Sequence, residues 1–183
     1  MKPLQVIAIA SLLLSCQPTT KKETSSPNTA RVIQTSNPYY SRTDTTALQL
    51  PDSIWKTVLA DSIYEVARLK STEKAFTGKY YKFNSPGTYY CAVCGNKLFR
   101  SDAKFASDCG WPSFYEPSRK NSVVYQEDTS HGLKRVEVLC GRCESHLGHV
   151  FNDGPPPTGK RFCMNSIILD FVPELTRNPR KGP

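Results

Sequence analysis

The pattern of polar and apolar positions divides the chain into stretches of different texture. Residues 6–14 are apolar apart from Ser11 and follow Lys2. The run is well short of the roughly 20 residues a spanning helix needs, so it reads as a targeting segment. From residue 17 to about residue 46 the chain is rich in Thr, Ser, Pro and Lys, with little apolar periodicity. Such a stretch cannot bury enough surface to offset its ordering entropy, which predicts a flexible tether over residues 16–50. At Pro51 the texture changes. Asp52-Ser53 offers a helix cap, and Ile54, Trp55, Val58, Leu59, Ile63, Val66, Ala67 and Leu69 recur at helical spacing, predicting one or two short helices with that face buried. Beyond Gly78, residues 80–83, 88–90, 123–125, 135–139 and 167–171 are short β-rich runs separated by Gly, Pro, Asn and Ser. The expected fold is mainly β, antiparallel, with a helical lead-in. It spans residues 51–173 and is followed by a basic tail over 174–183.

Composition supports this division. The 183 residues suffice for one compact domain plus extensions, and the modest 38% hydrophobic content is depressed by the early part of the chain. A net charge of +8 raises the question of an anionic partner. The Lys and Arg are scattered, however, clustering only at Lys21-Lys22 and over residues 177–181. This distribution favours solvation over a nucleic-acid footprint, and no nucleic-acid partner is expected.

The seven cysteines change the picture more. Leu13-Leu14-Ser15-Cys16 resembles a bacterial lipobox, which implies a signal peptide over residues 1–15, cleavage before Cys16 and lipid on that cysteine. Gln17 lacks the acidic character associated with inner-membrane retention. The expected location is therefore the cell envelope, lipid-anchored and facing the periplasm, with the outer membrane favoured. Cys91-Ala92-Val93-Cys94 and Cys140-Gly141-Arg142-Cys143 are paired two-residue knuckles. Together they supply a closed tetrahedral set, the donor pattern of a structural Zn²⁺. A redox dithiol, a disulfide and an iron–sulfur cluster are the competing readings of the same spacing.

Cys109 and Cys163 belong to neither knuckle. Between them lies His146-Leu147-Gly148-His149, whose histidines can line one pocket. Taken singly, each element has a bland reading: a small core thiol, a core aromatic, a histidine satisfying a turn. Taken together, Cys109-Gly110-Trp111-Pro112-Ser113-Phe114, Arg135-Val136-Glu137-Val138, His146-Leu147-Gly148-His149-Val150-Phe151, the run from Asp153 to Gly159, and Arg161-Phe162-Cys163-Met164-Asn165-Ser166 resemble the B-type methionine-sulfoxide reductases. The segments match in content, order and spacing. Phe162 stands where that family often has Tyr.

The resemblance implies a small barrel-like domain of two antiparallel sheets with the zinc site away from the active centre. It implies that Cys163 attacks the sulfur of methionine (R)-sulfoxide, free or protein-bound, and becomes a sulfenic acid. His146 and His149 would serve the proton step, and Trp111 and Phe151 would wall the S-methyl group. Arg161 and Asn165 would flank the nucleophile. Cys109 matches the resolving position, which implies a Cys109–Cys163 disulfide recycled by a thioredoxin-like dithiol. Two other classes compete: a zinc-ribbon binding module with passive Cys109 and Cys163, and a thiol–disulfide oxidoreductase working through a Cys-x-x-Cys.

Overall fold

Proline, not an aspartate or serine cap, opens the first helix. In the computed structural model, which describes residues 37–175, Pro51 (φ −63°, ψ 150°) leads into α1 (Asp52–Val58) without a side-chain cap bond. Asp52 lies inside the first turn, where a negative charge suits the helix dipole. Its carboxylate accepts Arg68 Nε at 2.7 Å, so the capping role expected of Asp52-Ser53 is not realised. α2 (Asp61–Ala67) follows directly. Helices this short do not stand alone in water. They are held by burying Trp55 from α1 and Val66 and Ala67 from α2.

The strands are β1 (Gly87–Cys91), β2 (Lys97–Arg100), β3 (Lys104–Phe105), β4 (Ser113–Phe114), β5 (Val123–Asp128), β6 (Arg135–Cys140), β7 (His146–Phe151), β8 (Arg161–Met164) and β9 (Leu169–Pro173). They form a three-stranded sheet in the order β2-β1-β9 and a six-stranded sheet in the order β3-β4-β8-β7-β6-β5. Every pairing is antiparallel, as the mainly β reading expects. Alternation along β1 buries Gly87, Tyr89 and Cys91. The sheets meet through aromatic rings: Phe99 of β2 stacks on Phe114 of β4 at 4.4 Å, and Tyr89 of β1 meets Phe114 edge-on at 5.0 Å.

Two stretches depart from the expected pattern. Residues 80–83 form turns, with Tyr81 N–H donating to Gly78 O and Phe83 N–H to Tyr80 O. Their rings serve the core rather than a pleat, Tyr80 packing edge-on against Tyr89 and Phe83 against Phe171. Within residues 167–171, the 3₁₀ turn Ser166–Ile168 precedes β9.

The tether boundary at residue 50 is also corrected. Residues 37–50 lack regular structure before α1, yet they are fastened along their length. Asn37 Nδ2 donates to Val93 O at 2.8 Å, Ser41 N–H to Cys94 O at 3.0 Å and Leu48 N–H to Arg142 O at 2.7 Å. The Tyr40 hydroxyl donates to the Asp170 carboxylate. The buried Arg142 guanidinium bonds Tyr39 O, Thr46 O and the Asp44 carboxylate. This strap is ordered by hydrogen bonds more than by apolar burial, which is why composition misreads it. Residues 1–36 and 176–183, which carry the expected signal peptide, Cys16 and most of the basic tail, lie outside the described residues. Among the described residues no helix is long and apolar enough to cross a membrane.

Candidate active site and metal centre

Cys91 ends β1 and Cys140 ends β6, and each begins the same turn. Gly95 N–H donates to Cys91 O and Cys91 N–H to Asn96 O, both at 2.8 Å. In the second knuckle Glu144 N–H donates to Cys140 O and Cys140 N–H to Ser145 O, both at 2.9 Å. The residue after each second cysteine has a positive φ, 78° at Gly95 and 56° at Glu144. At Gly95 a side chain is also excluded by space, since a Cβ would lie 2.6 Å from Ser41 O of the strap.

These turns bring the four sulfurs within 4.8 Å of one another, all buried and none in a disulfide. Cys91 and Cys143 are 3.8 Å apart and Cys94 and Cys140 3.6 Å. A tetrahedral site with metal–sulfur bonds of about 2.3 Å places its sulfurs about 3.8 Å apart, so the cage fits a tetrahedral metal ion. Burial pushes the Cys91 and Cys143 thiols well up. Against its own burial, Cys140 is held low by hydrogen bonds from its cysteine neighbours and from Arg142 N–H. A cation among the sulfurs would offset the cost of charging them. The four cysteines can thus hold a metal ion, and it would tie the β1–β2 hairpin of one sheet to the β6–β7 connection of the other.

The second cluster lies on the six-stranded sheet. Ser113, Cys163, His149 and Glu137 are directly opposite one another across β4, β8, β7 and β6, so one row crosses the sheet. Cys109 reaches this row from the loop before β4. Its sulfur is 3.1 Å from that of Cys163 and 3.3 Å from Ser113 Oγ. Gly110 (φ 96°) makes the reversal, and a Cβ there would lie 2.7 Å from Ala75 Cβ. Cys109 and Cys163 are therefore neighbours, not separate core thiols.

Contact decides the charge of the pair. The hydrogen bond from Cys163 pushes Cys109 down to about 4, with Ser107, Ser113 and Trp111 also contributing, against burial. The same bond, followed by burial, holds Cys163 well above the usual thiol range. Arg161 draws Cys163 down, the direction expected of it, but is outweighed. Its guanidinium is shared with Asp153 in a two-pronged pair at 2.9 and 2.7 Å and lies 4.5 Å over the Phe151 ring.

Cys163 opens into a cleft of about 110 Å³ whose lining includes Trp111, Phe151, His149, Asn165, Thr72 and Arg135. Trp111 is oriented by donating Nε1–H to Glu73 O at 3.1 Å. The buried Asn165 spends its amide on the backbone, accepting from Glu73 N–H at 3.0 Å and donating to Leu147 O at 3.1 Å. The Glu73 carboxylate in turn accepts the N–H groups of Ser166 and Ile167. The loop holding Glu73 thus fixes both Trp111 and Asn165.

Histidines three residues apart on a regular strand face opposite sides. Here Gly148 opposes Val138 while His146 opposes Leu139, so β7 carries one extra residue and the bulge re-aims the chain. The imidazoles come within 5.5 Å of each other. Gly148 is required, because a Cβ would lie 2.1 Å from Cys163 O. His146 Nδ1 meets the buried Glu137 carboxylate at 2.6 Å, and His149 Nε2 meets Asp128 at 2.7 Å.

Every expected site residue within 37–175 therefore falls in the metal cage or around the cleft, while Cys16 lies outside the described residues. Sequence reasoning missed Glu73, Asp128 and the partnership of Glu137 with His146. Glu137 carried one signal, a lone acid within the run Val136 to Leu139 that is otherwise apolar. Glu73 carried none.

A two-sheet β domain with a thiol pair in a cleft and a four-sulfur cage built from other residues is the class that fold and site define. Residues 59–173 match the model of the SelR domain family. Among similar proteins are three named peptide methionine sulfoxide reductase MsrB. That of Pseudomonas savastanoi pv. phaseolicola is 54% identical over 119 residues, 65% of this chain and 91% of its own. That of Azotobacter vinelandii is 50% identical over 120 residues, 66% and 90% respectively. That of Leptospira interrogans serovar Lai is 54% identical over 123 residues, 67% and 94%. The chain belongs to the SelR domain family.

Proposed function

We propose that the protein is an oxidoreductase that reduces methionine (R)-sulfoxide, free or within a polypeptide, to methionine. The observation that carries this reading is the contact of Cys109 and Cys163 at the floor of a cleft walled by Trp111 and Phe151, in a chain of this family. Cys163 as thiolate attacks the sulfoxide sulfur while the sulfoxide oxygen takes up a proton. The thioether leaves, and the oxygen remains on Cys163 as a sulfenic acid. Cys109 then attacks the Cys163 sulfur, the hydroxyl leaves as water with one further proton, and a disulfide forms. A thioredoxin-like dithiol returns both cysteines to thiols by exchange.

The apolar walls suit the S-methyl group, and His146 and His149 serve the proton at the sulfoxide oxygen. Arg161 holds Phe151, and Asn165 holds the loop behind the cleft. Cys91, Cys94, Cys140 and Cys143 bind Zn²⁺, whose part is structural. The lipobox-like run supports acylation at Cys16 and a place in the cell envelope, lipid-anchored, facing the periplasm and favouring the outer membrane.

The test is a stereospecific assay on both epimers of N-acetylmethionine sulfoxide with a dithiol reductant. The R epimer is consumed and the S epimer is not. Cys163→Ser abolishes turnover, and Cys109→Ser yields one methionine per chain before thioredoxin-driven recycling stops. R-epimer reduction surviving in Cys163→Ser would overturn the reading.

A further inference from the structure

Between α2 and β1 the chain carries Phe76, which at 61% is the most exposed aromatic residue among the described residues. Its backbone is left-handed (φ 68°), a costly conformation for a bulky side chain. Two contacts hold it there. Phe76 N–H donates to Gly110 O at 2.7 Å, and the ring meets Tyr81 edge-on at 5.4 Å. Tyr81 is fixed in turn, its carbonyl accepting Lys104 Nζ of β3 at 3.0 Å. Gly110 directly follows Cys109 in the chain. The fold thus keeps a strained, uncovered ring beside the loop that carries the Cys109 sulfur, and Phe76 lines neither the cleft nor the metal cage.

The surroundings of the ring are basic. Lys74, Lys79 and Lys82 are exposed, and none of them belongs to an ion pair among the described residues. Glu73, the only acid in residues 70–82, is turned inward onto the N–H groups of Ser166 and Ile167. Asp108 is the single acid of the 105–110 loop.

We infer that Phe76 and its lysine collar are the docking surface for the protein dithiol that reduces the Cys109–Cys163 disulfide, and that this partner attacks the Cys109 sulfur. The inference rests on the proposed sulfoxide reduction. An aromatic anchor within a charged rim is the composition of a protein-binding hot spot. The ring calls for an apolar face around the partner's cysteines, and the lysines for an acidic rim. The choice of sulfur follows from access. Cys163 is flanked by β4 and β7 and opens into a cleft of about 110 Å³, room for a side chain and not for a folded partner. Cys109 lies in a loop whose Ala106 and Asp108 are exposed.

A thiolate of the partner attacks Cys109 Sγ, the bond to Cys163 breaks, and Cys163 leaves as thiolate, a charge that Arg161 favours. The partner's second thiol then attacks its own sulfur in the mixed disulfide. Its proton passes to Cys109, which is released as a thiol. Two electrons have moved from the dithiol to the disulfide, and Cys163 is again the nucleophile.

The test uses the full chain with an acidic thioredoxin, kept reduced by NADPH and thioredoxin reductase. Phe76→Asn removes the ring, and Asn tolerates the left-handed backbone. The KM for thioredoxin rises about tenfold, as loss of an aromatic anchor predicts. Single-turnover methionine formation and dithiothreitol-driven turnover stay unchanged, and Phe76→Tyr behaves as the wild type. Lys74→Glu with Lys82→Glu also raises this KM, and the increase of KM with ionic strength seen in the wild type disappears. A thioredoxin whose second active-site cysteine is replaced by Ser is trapped as a mixed disulfide, which peptide mass spectrometry places on Cys109.

An unchanged KM in Phe76→Asn, an equal loss with dithiothreitol, or an adduct on Cys163 would overturn the surface. If Phe76→Asn does not fold, the lysine variant and the trapped adduct decide. If the wild type reduces no R-sulfoxide, the functional reading fails. Reduction of the diamide-oxidised chain by thioredoxin then decides the docking surface separately.

Discussion

Cys109 and Cys163 place their sulfurs 3.1 Å apart although 54 positions separate them in the chain. At that distance they titrate as a pair holding one proton between them. The first proton is lost at low pH, so the pair carries one thiolate throughout the neutral range, shared between the two sulfurs. Removing the donor reverses this: in Cys163→Ala, Cys109 rises toward the ordinary thiol range. Iodoacetamide alkylation followed against pH checks it. The Cys109 rate is flat around neutrality in the wild type and climbs with pH in the variant.

Gly148→Ala tests the bulge that aligns the histidines. The new Cβ falls 2.1 Å from Cys163 O, a backbone atom that cannot rotate away. The expected loss is about 3 kcal/mol or more by denaturant unfolding, with sulfoxide reduction falling in parallel, because strain at a fixed backbone position is among the costly single changes.

Arg142→Ala releases the strap. Four acceptors lose a buried guanidinium: the carbonyls of Tyr39, Thr46 and Cys94 and the Asp44 carboxylate. Stability is expected to fall by about 1.5–3 kcal/mol, the range for bonds to a charged group, since these acceptors lose the guanidinium they share. Metal release to a chromogenic chelator quickens in the same variant. Asp44→Ala, which removes only a half-exposed partner, gives a smaller effect of the same sign.

Glu73→Ala tests the loop behind the cleft. The Ser166 and Ile167 N–H groups lose their acceptor, and Trp111 loses a fixed carbonyl. Substrate KM should rise at least as much as kcat falls, while metal content stays unchanged.

What the sequence discloses depends on how local its cause is. The knuckles are legible because two-residue spacing alone aims both thiolates. β1 and the α1–α2 face are legible from periodicity. β7 and β8 are not, since their His, Gly, Arg and Cys serve the site and dilute the strand pattern. The residues most poorly marked act across the fold: Glu73 through contacts more than 90 positions away, and the strap through carbonyls of both knuckles. Polar composition describes a segment's own appetite for burial. It says nothing of acceptors waiting elsewhere.

The strap also imposes an order on assembly. During synthesis residues 37–48 emerge before any cysteine of the cage, yet Asp44 finds its guanidinium 98 positions later. Cys94 must likewise wait 46 positions for Cys140. Until the second knuckle leaves the ribosome, the first holds two unshielded thiols, open to mispairing or to the wrong ion. The strap therefore cannot be fully fastened until the second knuckle has been made, and the earliest described segment of the body to be synthesised depends on one of the later ones.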